Sequence, residues 1–274
     1  MANTGLTEAA NFVRQLWDPQ AQIAFESMLV VGGGDKVTRY SGEHGMDRVN
    51  KPLISNLSAS SVSAGAITAT ATTEDKVTLT INKHYYAAVE IEDIVNVQTA
   101  YNLVKLYSAR ISYALKKQTD TDLMALTSSA SQSVGTAGVP VSLDVCLNAV
   151  QLLDTADVPE ESRNAIFNPK SIRTMLKLNE FVNAATLGAA IDKSPLITKK
   201  ILPMFGINHH FTNQVTDAAT TRNVYLQKEG WGLAIQTAVT LKKFPQQKFT
   251  ELVAGQVLYG VVENRDSAVV QALS

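Results

Sequence analysis

Chemistry in this 274-residue chain would have to come from a few sets of residues. Val30-Val31-Gly32-Gly33-Gly34-Asp35 is rich enough in glycine to bring backbone amides up to an anion, as a phosphate loop does. Neither G-x-G-x-x-G nor G-x-x-x-x-G-K-[ST] stands there, and residues 36–40 do not read as a helix, so a flexible hinge is expected. His209-His210 is the only histidine pair. Neighbours on a strand point to opposite faces and no cysteine is close by, so the pair does not make a zinc set, and a polar loop or strand edge is expected. Asp120 and Asp122 have the chemistry of a hard-cation site. No third acid follows at calcium-loop spacing, and a solvated helix face is the expectation. Glu160-Glu161 has the carboxylates for acid–base work, but beside Arg163 in a turn it reads as a solvated, partly charge-paired loop. Cys146, the one cysteine, falls on an apolar helix face and reads as a core thiol. No G-x-S-x-G is present. The sequence therefore assigns no catalytic, cofactor-binding or metal-binding residue, and no cofactor.

The elements that would hold such side chains are signalled best over residues 142–178. Ser142 is a good N-cap, and Leu143, Cys146, Leu147, Val150 and Leu153 recur at spacings of three and four, giving a helix one apolar face. The turn Asp157-Val158-Pro159-Glu160-Glu161-Ser162 stops it, because proline lacks a backbone donor and pushes the residue before it toward extended geometry. Residues 163–167 are expected to form a buried strand. Asn168-Pro169 then caps and opens a helix striped by Ile172, Met175, Leu176 and Leu178. Upstream, Val77, Leu79 and Ile81 alternate with Thr78, Thr80 and Asn82, which is a half-buried strand, and 88–94 keeps the same period. Over 94–128 the apolar residues follow helical spacing, predicting one helix of about 50 Å. Residues 128–138 read as a Ser/Gly/Ala linker, 181–201 as helical or irregular, and 223–235 and 239–244 as strands. Residues 252–273 are β-branched and apolar on both faces, hence covered on both sides. The short apolar stripes of the first forty residues cannot close a core, so an arm that lies on something else is expected. Residues 40–73 read as an extended loop or loose hairpin, a length that is usually functional.

Hydrophobic content of 45% and charged content of 18% fit a folded chain. With 24 basic and 25 acidic residues the net charge is −1, which argues against binding nucleic acid through a generally basic surface. No basic-then-apolar leader begins the sequence and no apolar run reaches the ~18 residues of a membrane span, so synthesis in the cytosol is expected.

The order within 142–178, an aspartate, Val-Pro, two acids, Ser-Arg, an apolar strand, Asn-Pro and a helix, resembles the corresponding segment of tailed-bacteriophage major capsid proteins of the Hong Kong 97 fold. The flanking segments keep that family's order over nearly the whole chain. The resemblance implies an α+β, Hong Kong 97-type capsid fold: an N-terminal arm (1–39), an extended β loop (40–75), a peripheral domain with a long spine helix (76–134), an axial α/β domain (135–237) and C-terminal strands returning to the peripheral domain (238–274). It implies a major capsid protein rather than an enzyme, self-assembling into hexamers and pentamers of an icosahedral phage head around double-stranded DNA. The partners it implies are other copies of itself, a portal protein, a separate scaffolding protein and a decoration protein, with non-specific contact to packaged DNA and no membrane. The implied location is the virion, after synthesis and assembly in the bacterial host cytoplasm. Some family members crosslink through lysine and asparagine; Lys51 and Asn264 are the residues to consider, and nothing in the sequence pairs them. The alternatives are an encapsulin-type compartment shell of the same fold and an α/β enzyme using 142–178 as a ligand-binding fragment. The enzyme reading lacks a convergent acid, base, nucleophile or metal set.

Overall fold

The computed structural model describes residues 31–41, 47–54, 74–92, 103–178, 201, 203–215, 220–245 and 249–274. Expectations for the arm before Val31, for 94–102 of the long helix, for the middle of the extended loop and for 181–200 fall outside that set. In chain order the elements are β1 (Thr38–Ser41), β2 (Arg48–Ile54), β3 (Glu74–Thr80), β4 (Lys83–Glu92), α1 (Leu103–Ala125), β5 (Gln132–Gly135), α2 (Leu143–Thr155), β6 (Arg163–Phe167), α3 (Pro169–Met175), β7 (Asn208–Phe211), β8 (Arg222–Gln227), β9 (Trp231–Pro245), β10 (Thr250–Glu263) and β11 (Val269–Leu273). Short 3-10 turns occupy Gly34–Lys36, Leu126–Ser128 and Asp266–Ala268.

The long strands β9 and β10 form an antiparallel pair, extended by β4 beside β10 and by β1 running parallel to β9, so the sheet order is β1-β9-β10-β4. Strand β4 alternates as a half-buried strand must: Tyr85, Ala87, Val89 and Ile91 belong to the core, while His84, Tyr86, Ala88 and Glu90 are exposed. Helix α1 covers the inner face, where Ile111, Leu115, Leu123 and Met124 join Val253, Val257 and Tyr259 in one apolar cluster. Burying each such aliphatic side chain fully is worth about 1.5–3 kcal/mol. Part of the outer face is covered by the antiparallel β2–β3 ribbon, whose Leu79 and the following Ile81 pack with Ala234, Tyr40 and Leu258. Gly260 permits this approach, since a Cβ there would collide with the Thr80 carbonyl oxygen. The apolar faces of 258–262 are thus covered from both sides, as the sequence implied, whereas Gln256 on the same outer face is exposed.

The second sheet has the order β5-β11-β8-β6-β7. Both of its faces are covered, so β6 is buried at every residue. Ile166, Val224, Leu226 and Val269 face the cluster shared with α1. Ala165, Phe167, Tyr225, Val270 and Ala272 belong to a second cluster with Cys146, Ala149 and Leu153 of α2 and Ile172 and Met175 of α3. The predicted caps are present: Ser142 Oγ accepts from the Val145 amide at 3.4 Å, and Asn168 Oδ1 from the Lys170 amide at 2.8 Å.

Several expectations are corrected. The strand placed at 223–235 is two strands, because residues 228–230 turn, closed by the Gly230 amide donating to the Gln227 carbonyl at 2.8 Å. Beyond that turn β9 runs unbroken through 239–244. The 252–273 stretch is likewise two strands, in different sheets. The segment read as a linker at 128–138 contains β5, four residues that show no period of their own and are fixed by parallel pairing with β11. On α2 the buried face is Cys146, Ala149 and Leu153, and Leu147 is 40% exposed. That helix ends before the proline, at Ala156 and a left-handed Asp157 with φ 51°.

Candidate functional site

Helix α1 carries two carboxylates, Asp120 and Asp122, near its C-terminal end. The expected solvated face is wrong for both: they are 2% and 8% exposed. Two residues along a helix is a rotation of about 200°, so they look in different directions. Asp120 Oδ1 accepts from the Gly32 amide at 2.6 Å and Oδ2 from the Val31 amide at 3.2 Å. Asp122 Oδ2 accepts from the Tyr259 hydroxyl at 2.7 Å and lies 3.0 Å from Lys83 Nζ, while Gln118 Nε2 donates to Oδ1 at 3.1 Å. A buried carboxylate is tolerated only when its oxygens are occupied, and these are. Burial, and then the carboxylate beside it, push the Tyr259 hydroxyl well above the ordinary tyrosine range, so it remains a proton donor to Asp122. Lys83 and Tyr259 were missed in the sequence because the tyrosine lies 137 residues from its acceptor. The one available signal was Asp122 standing directly before the apolar Leu123-Met124.

The glycine triplet is a docked turn rather than the expected hinge. Val31 is fully buried, and a Cβ on Gly32 would stand 3.0 Å from Asp120 Oδ1. Lys36 Nζ donates to the Gly33 carbonyl at 3.2 Å and the Arg39 guanidinium to that of Gly32. Asp35 pairs with Lys228 at 3.1 Å, and Thr38 Oγ1 donates to the Lys228 carbonyl at 3.0 Å. Backbone amides do meet an anion here, as in a phosphate loop, but the anion is the chain's own Asp120. A cleft of about 610 Å3 opens beside this turn, against α1 and β9. Its polar walls are Arg39, Ser112, Lys116, Thr119 and Asp120. Their one carboxylate is committed to two amides, so acid, base and nucleophile do not converge.

The other candidates stay apart. His209 and His210 lie on β7, an edge strand bonded to β6 alone in its sheet. The His209 ring stacks on Phe167 with centroids 5.9 Å apart, and His210 Nε2 is 3.1 Å from Asn164 Oδ1. Burial, and second the positive Lys36, push His210 down to about 4. Glu160 and Glu161 are exposed. Arg163 is not their partner, contrary to expectation: its buried guanidinium pairs with Asp154 at 2.7 Å and donates to the carbonyls of Pro159, at 3.0 Å, and Val158. It thereby ties the turn back to α2. Cys146 is buried, which pushes its thiol up. Lys51 stands on β2 opposite Val77, and Asn264 is buried just after β10. Among the described residues no group of three or more His, Cys, Asp or Glu gathers to hold a metal, and no helix is long and apolar enough to cross a membrane.

What these groups do is mechanical: they fix a helix, two sheets and the root of the preceding segment against one another. Solved phage capsid structures share this arrangement over nearly the whole chain, and the chain has the α+β capsid fold of the Hong Kong 97 type. Among them, a chain of Mycobacterium phage Che8 is similar with a TM-score of 0.74 and 19% identity, over 96% of this chain and 97% of that one. The capsid structure of the cyanophage P-SCSP1u is similar with a TM-score of 0.72 and 15% identity, over 97% and 93%. The capsid of the native GTA particle gives 0.70 and 12%, over 100% and 99%. No protein-family model and no curated protein matches the chain in sequence.

Proposed function

We propose that this chain is the major capsid subunit of a tailed phage, building hexamers and pentamers of an icosahedral shell around double-stranded DNA. The observation that carries the reading is the end-to-end likeness to capsid chains, which leaves no sizeable part of either chain unmatched. The described side chains agree with it, since the conspicuous polar clusters are spent on holding elements together. In this reading 1–39 is the arm, 40–75 the extended loop, 76–134 with 238–274 the peripheral domain and 135–237 the axial domain. Arm and loop bury their apolar residues on neighbouring copies, through head-to-tail contacts that close into rings by symmetry. The subunit has no catalytic role, resides in the virion after assembly in the host cytoplasm, and works with a portal protein, a separate scaffolding protein and a decoration protein. Electron microscopy of the purified protein tests this. Closed shells of regular size are expected, containing DNA when taken from infected cells; compact particles at every concentration would overturn the reading, and shells that enclose protein cargo instead of DNA would make it a compartment.

A further inference from the structure

Among the described strands, β1 and β4 end the four-stranded sheet, and β5 and β7 the five-stranded one. β1, β5 and β7 are four residues each, and a short edge leaves few backbone groups open to a foreign strand. β4 is ten residues long and pairs with β10 alone, in unbroken register from Lys83 opposite Tyr259 to Glu92 opposite Thr250. No proline or glycine interrupts it, and residues 85–89 carry no charge. Its one lysine, Lys83, is already paired with Asp122 at 3.0 Å. His84, Tyr86, Ala88, Glu90 and Glu92 face outward and are exposed, Tyr86 at 78%. An edge of this length, unbroken and uncharged at its centre, is a template for another strand.

We propose that β4 is a docking edge for β4 of a second copy of the chain, paired antiparallel about a two-fold axis at Ala87, so that two four-stranded sheets become one. The contact goes beyond the capsid reading, whose head-to-tail rings are a different interface. The strand is complementary to itself. Pairing about such an axis keeps every residue on its own face, so exposed residues meet exposed ones. On the outer face His84 then lies opposite Glu90, and Tyr86 opposite the small Ala88; on the inner face Tyr85 lies opposite Val89, an aromatic with a β-branched residue. Each pair occurs twice by symmetry. Neighbours on β10 hold the two polar members on the outer face: His84 Nε2 is 3.3 Å from Gln256 Oε1, and Glu90 Oε1 accepts from Thr250 Oγ1 at 2.6 Å. The acids of β4 are gathered at one end, at Glu90 and Glu92. A parallel copy would set them side by side, and an antiparallel one keeps them apart.

The test is disulfide capture in the full-length chain. Opposite residues of antiparallel strands have Cα atoms about 4.5–5.5 Å apart, within disulfide range, so Ala87→Cys should oxidise to a linked dimer in most chains. Val89→Cys lies on the same face, but its own copy is displaced by about 13 Å along the strand, and at least tenfold less linkage is expected. Val139→Cys, exposed and away from β4, reports chance collision. Equal yields at the three positions would overturn the proposal. Sedimentation velocity of the unlinked chain gives the second reading. His84→Glu sets an acid opposite Glu90 twice and should weaken the dimer about tenfold, and adding Glu90→His should restore it, which no local effect of either substitution would do. A dimer indifferent to His84→Glu, or a double variant no better than the single one, overturns the pairing, and this exchange decides alone if Ala87→Cys fails to fold by circular dichroism. Electron microscopy of the same preparations keeps the two readings apart. Shells without linkage at residue 87 sink this proposal alone, and linked dimers that never form shells sink the capsid reading alone.

Discussion

The two halves of the molecule are fastened by different kinds of contact. In the half built on α2, α3 and the five-stranded sheet, the groups that fix the helix starts and the turn are near in sequence, Ser142 with Val145, Asn168 with Lys170, and Arg163 with Asp154, Val158 and Pro159, and one remote group, the buried Asn223, adds bonds to Asn168 and Ser171. In the half built on α1 and the four-stranded sheet they are remote: Asp120 reaches back to Val31 and Gly32, Asp122 takes Lys83 and Tyr259, and Asp35 finds Lys228. Local fastening can form as soon as its own segment exists, whereas remote fastening waits for loop closure and so forms with the tertiary fold. The first half should therefore lose stability in proportion to each contact removed. The second should show effects far from the altered residue, or confined to the element it releases.

Ala114→Pro should have the largest effect. Ala114 is exposed in the middle of α1, so no packing is lost and the backbone alone decides, at about 3 kcal/mol or more. Urea denaturation should show that drop; a midpoint equal to the parent's would break the claim that one continuous helix organises this half. Asp120→Ala comes next. It strands two amides, and about 2 kcal/mol is expected, largely spent on releasing 31–37. Hydrogen exchange should speed up at Val31 and Gly32 and stay unchanged in α2 and β6, and an even change across both halves would erase the contrast drawn above.

The seam between the halves is read by pH. Folding holds His210 at about 4, against 6.5 for the ordinary side chain, so between those values the unfolded chain binds a proton that the folded one refuses. Stability should fall as pH drops from 6.5 toward 4 and level off below, by about 1 kcal/mol once its partial exposure is allowed for. Thermal melts of the parent and His210→Gln across this window check it: the variant should lose that part of the dependence, and parallel curves would exonerate the histidine. Ser142→Ala is expected to be the smallest change. The cap is long at 3.4 Å, and about 0.5 kcal/mol in denaturant midpoint should follow with no change elsewhere. A loss several times larger would mean that α2 is held less locally than its sequence implies.

The same contrast explains what was legible beforehand. The Ser142 and Asn168 caps, the buried strand β6 and the alternation of β3 and β4 are written in neighbouring residues, and the structure agrees with them. The motif that carries the family resemblance, 142–178, lies in that locally encoded half, the order of the flanking segments agrees with it, and solved capsid structures share the fold over nearly the whole chain. Asp120 and Asp122 looked solvated because a helix sequence states what a residue is, not which distant amide or hydroxyl will meet it. The glycine triplet looked like a hinge for the same reason, its anion lying 88 residues away. β5 passed for a linker because four residues cannot display a period, and only its pairing with β11 makes it a strand. The 228–230 turn, by contrast, was legible: Gln227-Lys228-Glu229-Gly230 is a polar, glycine-ended break between two buried strands, and the single strand expected over 223–235 ran through it.

Strand β11 lies between β5 and β8, yet it follows all the other strands of its sheet in the chain. During synthesis a ribosome therefore presents β5, β6, β7 and β8 well before the strand that joins β5 to the rest, and β5 has no neighbour to bond in the meantime. Closure of this sheet is a late event in the folding of the chain. A nascent chain still lacking 269–273 keeps an open slot between β5 and β8, to be filled only when its last strand arrives.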